Sequence, residues 1–131
     1  MRWTLGGLAA GLATAMLIIM AVEAAGNQIF PPPDGYDLSS GSAMTLPVTT
    51  LMPPVIGWFL GTLAGAWIAV RMSGHGWAAW AVGGFVFAAS MLNLLLITHP
   101  LWMILAAIAA PLLGAWIGHR LAASTRRRPA A

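Results

Sequence analysis

The chain has no cysteine and no lysine, and only six basic and three acidic side chains. Without cysteine there can be no disulfide, thiolate metal site, c-type haem attachment or cysteine nucleophile. Charged residues make up 7% of the 131 residues, against roughly 25% in soluble domains. They are too few to cover a globule in water, so lipid must solvate most of the chain. The arginines are not interleaved with aromatics, so no nucleic-acid footprint is present. Metalloprotease, phosphate-loop, serine-hydrolase and dinucleotide motifs are missing too, and no cofactor is implied.

What is abundant is apolar sequence, 60% of the chain. Four runs approach the roughly 20 residues that cross a bilayer as helix. They cover about 5–25, 51–70, 77–97 and 101–118. Backbone polar groups inside a bilayer must be satisfied within the segment, so each run reads as helix. The expectation is an all-α bundle of four transmembrane helices in a single domain, with a loop over 31–50 and a basic tail over 120–131. Pro31, Pro32 and Pro33 stop the first helix. Pro53 and Pro54 fit a first turn, or kink a helix that begins earlier at Pro47. Ser73 to Gly76 and Thr98 to Pro100 read as short turns, and Pro111 as a kink inside the fourth span.

Four crossings put Arg2, Arg71, Arg120, Arg126, Arg127 and Arg128 on one side, with Asp34 and Asp37 opposite. This positive-inside pattern predicts both termini in the cytoplasm of a bacterial inner membrane. Trp3, Trp77 and Trp102 sit at span ends, as an interfacial belt requires. Arg2 and the first apolar run also resemble a cleaved signal peptide. The run is longer than the usual roughly 7–15-residue core, and Glu23 stands beside the cleavage site, so a retained helix is expected. Arg126, Arg127 and Arg128 are placed to meet anionic lipid.

Small residues recur at every fourth position. Gly57, Gly61, Gly65 and Ala69 share one face of the second span, Ala110, Gly114 and Gly118 one face of the fourth, and Gly7 and Gly11 one of the first. Such faces let helix backbones approach closely, either within the bundle or against a partner in a homo-oligomer or larger membrane complex.

Glu23 is the sole acid within a span, and Asn27 follows one turn later. Ser90 and Asn93 share a face of the third span, and His99 lies just beyond it. At about 1.5 Å per residue, Glu23, Asn27, Asn93 and His99 reach similar depths near the outer interface. Strongly polar groups in a bilayer need partners or a cavity, which makes these four a candidate ligand or proton site. Their structural alternatives are ordinary: Glu23 can reach water, and Asn93 can bond across to a neighbouring helix. One histidine and one in-span carboxylate fall short of a metal-ligand set. His75 and His119 read as interfacial residues.

The run Glu23-Ala24-Ala25-Gly26-Asn27-Gln28-Ile29-Phe30-Pro31-Pro32-Pro33, with Asn93-Leu94 and His99-Pro100-Leu101-Trp102, resembles a group of small, uncharacterised four-helix bacterial membrane proteins. That resemblance implies the architecture and no reaction. In architecture alone the chain is also similar to the small multidrug-resistance exporters. It departs from them in a Glu23 far from midspan and a longer, proline-rich first loop. The leading expectation is a non-catalytic accessory or scaffold subunit that packs through its Gly/Ala faces. The alternative is a small transporter or permeation element with a polar site near Glu23. An enzyme or cofactor binder using His99 is a third reading.

Overall fold

The computed structural model describes residues 2–37, 39 and 41–126. It contains four helices, α1 (Arg2–Ile29), α2 (Val48–Ser73), α3 (Trp77–Leu96) and α4 (Leu101–Arg126). All four are long and apolar enough to cross a membrane. Three outrun the apolar spans read from the sequence, because helical hydrogen bonding continues where hydrocarbon ends. Arg127 and Arg128 lie outside the described residues.

α2 is the central helix and packs against α1, α3 and α4, whereas α1 and α4 do not meet among the described residues. Small residues on two faces of α2 allow this. On one face, a Cβ added to Gly61 would come within 2.7 Å of the Ala15 carbonyl oxygen, and one added to Gly65 within 2.5 Å of that of Gly11. Gly57 lies against the Ile19 backbone, Gly7 against Ser73, Gly26 against Pro53, and Gly11 against Ala69. This is one antiparallel seam from end to end.

The other face of α2 meets α4. A Cβ on Gly114 would stand 2.8 Å from the Phe59 carbonyl oxygen, and one on Gly118 would stand 2.5 Å from that of Leu63. The glycines of both periodic faces are therefore used inside the monomer.

The prolines fall differently from the first-turn expectation. α2 starts at Val48 with Pro47 as its cap, so Pro53 and Pro54 lie within the helix. Neither has an N–H to offer the carbonyls of Thr49 and Thr50, four residues back. Pro111, within α4, likewise cannot serve the carbonyl of Ala107. Ser90 on α3 does so instead: its hydroxyl reaches the Ala107 oxygen at 3.1 Å, while also lying 2.8 Å from the Phe87 oxygen of its own helix. A side-chain hydroxyl thus answers for an amide that proline removed, as membrane helices require. Thr14 and Thr62 bond the carbonyls of Ala10 and Trp58 in their own helices.

The ends of the bundle differ in charge. At one end the start of α1 meets the end of α2, and Arg71 donates to Thr125 Oγ1 at 2.9 Å. Arg71 and Arg120 also lie over the rings of Trp67 and Trp116. Here His119 packs under Gly76, with its Nδ1 buried and without a hydrogen-bond partner among the described residues. His75 Nδ1 lies 2.7 Å from the Ser73 carbonyl oxygen. The opposite end carries the loop from Phe30 to Pro47 and the α3–α4 connection, and with them Asp34 and Asp37.

Candidate functional site

At the loop end a cavity of about 230 Å³ opens between α1, α2, α3, the start of α4 and the two connections. Glu23 and Asn27 reach its wall from the last two turns of α1, one turn apart. Asn93 comes from the last turn of α3, and His99 from the α3–α4 connection. The four residues singled out by depth thus border one space. Ser90, which shares a helix face with Asn93 in the sequence, lies deeper, and its hydroxyl is shared between the Phe87 and Ala107 oxygens.

Each of the four retains chemical capacity. Glu23 is half-buried and has neither an ion pair nor a hydrogen bond among the described residues. His99 is buried, and its Nδ1 lies 2.7 Å from the Ile97 carbonyl oxygen. A carbonyl only accepts, so Nδ1 carries a proton, and Nε2 of the neutral ring keeps its lone pair. Asn27 and Asn93 each bring an amide, able to donate and to accept.

Three features of the site were not read from the sequence. The first is a roof. The expected turn at Thr98 is preceded by an extended Ile97 (φ −130°, ψ 133°), and residues 41–43 run alongside. The Ala43 amide donates to the Thr98 oxygen at 2.7 Å, and the Thr98 amide to the Gly41 oxygen at 2.9 Å. Gly41 has φ +64°, a left-handed conformation that glycine adopts without steric cost. The second is Tyr36, which lines the cavity and whose hydroxyl donates to the Ser42 carbonyl. The third is Thr50, on the α2 wall, whose carbonyl is deprived of its helical donor by Pro54.

Asp34 and Asp37 belong to a separate surface depression on the loop. The Ser39 hydroxyl and amide both donate to Asp37 Oδ1, at 2.6 and 2.8 Å, and hold that exposed carboxyl below its usual range. Among the described residues Glu23 is thus the only acid on the cavity wall, and no arginine lines it. Among the described residues, no three His, Cys, Asp or Glu side chains gather as a metal would need. No known protein family, curated protein or solved structure matches the chain.

Proposed function

We propose that this is a polytopic protein of a bacterial inner membrane that binds a small cation at Glu23, as a transport or permeation element. The observation that carries the reading is a carboxyl group with no counter-ion among the described residues, on a cavity wall shared with two amides and an imidazole. Such a group is costly in lipid unless water or a ligand cation compensates it. Met103 and Leu51, both buried, form apolar wall of the same cavity. The glycine faces pack within the monomer, which favours this reading over the accessory or scaffold subunit first expected from the sequence to pack through them.

The arrangement of charge supports an orientation with both termini in the cytoplasm and the cavity facing outward. The basic residues Arg126, Arg127 and Arg128 would then meet anionic lipid. Reporter fusions after Arg71 and Arg128 should be cytoplasmic, and one after Gly35 external. An external signal after Arg128 contradicts this orientation.

The absence of natural cysteine makes the site directly testable. Thr50→Cys, on the cavity wall, should be alkylated by N-ethylmaleimide more slowly when sodium, potassium or an alkylammonium salt is present. Ser39→Cys, on the exposed loop, should not respond. If no cation slows the reaction at Thr50→Cys, the cation reading falls.

A further inference from the structure

The chemistry of the cavity wall distinguishes among cations. We infer that its occupant is a primary ammonium carried on a short apolar body, a small organic amine, and not a bare metal ion. This rests on the reading of the cavity as a cation site and narrows its substrate class.

Charge is the first argument. Among the described residues the wall holds one acid, one imidazole and no arginine, while Asp34 and Asp37 face a different depression. One carboxylate complements one positive charge. A divalent ion would ordinarily recruit several oxygen ligands and more than one carboxylate.

Size and polarity are the second. A cavity of about 230 Å³ is far larger than a dehydrated ion needs, yet smaller than the roughly 300–1,000 Å³ of pockets for drug-sized ligands. Leu46, Leu51, Ile97 and Met103 supply apolar wall that a metal ion would leave uncovered. An alkyl chain of a few carbons would cover it, and that burial is favourable.

The third argument is directional. A primary ammonium has three N–H donors and no acceptor. On the same wall as Glu23 stand Asn27, Asn93 and His99, whose amide oxygens and unprotonated ring nitrogen are acceptors. Tyr36 contributes an aromatic ring, which attracts cations, and its bond to Ser42 fixes it at the wall.

The test is thermal unfolding of the full chain in detergent, titrated in turn with sodium, potassium, magnesium, tetramethylammonium and propylammonium chlorides and with propanol. Propylammonium should raise the midpoint saturably. Its half-saturating concentration should be at least about tenfold below those of sodium and tetramethylammonium, a difference of about 1.4 kcal/mol. Propanol should have no saturable effect. Glu23→Gln should abolish the propylammonium response, and Asn93→Leu, at an exposed position, should weaken it should Glu23→Gln fail to fold.

If sodium or potassium saturates as tightly as propylammonium, the amine inference is overturned and the cation reading stands. Equal affinity for tetramethylammonium, which has no N–H, overturns it as well. If no cation saturates, or if Glu23→Gln and Asn93→Leu both respond as the wild type does, the amine inference and the cation reading fall together.

Discussion

Ser90 and Pro111 sit on different helices and meet at one carbonyl. Pro111 removes the amide that Ala107 would otherwise accept from, and the Ser90 hydroxyl replaces it. Ser90→Ala should therefore destabilise the bundle by about 0.6–1.7 kcal/mol, the range measured for hydrogen bonds between membrane helices. In a Pro111→Ala background the helix supplies its own donor, so the same change should cost much less. Additive effects in chemical unfolding would show that the two residues do not act on one group. In the sequence Ser90 stood out only as a companion of Asn93, because a serine's partner on another helix cannot be read from spacing. Glu23, Asn27, Asn93 and His99 were legible, because helical rise turns residue number into depth. Tyr36 was not, since depth arithmetic stops where the helix does.

At the scale of elements, the four-residue period of glycines in α2 was legible but its neighbours were not. A period specifies a face and is silent on what meets it. The structure sets α1 on that face of α2, and turns the Gly114–Gly118 face of α4 against another side of α2. A methyl at Gly65 would meet the Gly11 carbonyl oxygen at 2.5 Å and the Ala15 Cβ at 2.8 Å. Backbone cannot yield cheaply there, so Gly65→Ala should cost about 1–3 kcal/mol. Gly84, on α3, has nothing within 4 Å of an added Cβ. Gly84→Ala should leave thermal stability unchanged or raise it, by up to about 1 kcal/mol from helix propensity. Equal losses at the two positions would contradict the packing described. The start of α2 was ambiguous in sequence for a related reason. Proline signals a first turn and a mid-helix break alike, and the packing of Pro53 on Gly26 accompanies the longer helix.

For the molecule as a whole, span number and the segregation of charge between the ends were legible, because hydrocarbon thickness and backbone satisfaction leave few alternatives. The roof over the cavity was not. It depends on residues 41–43 finding Thr98 across more than fifty positions of chain, and no local pattern announces such a pairing. That roof adds a further wall to the open cavity bordered by the four polar residues, the space proposed to take up a cation at Glu23. The most direct measurement is charge displacement by the reconstituted protein on a solid-supported membrane, after concentration jumps of sodium, potassium and propylammonium at constant ionic strength. The wild type should give a saturable transient current with at least one of these cations. Asp37→Asn, altered on the exposed loop, should keep that current, and Glu23→Gln should lose it. A current of equal size in Glu23→Gln, or none above protein-free liposomes in the wild type, would contradict the account.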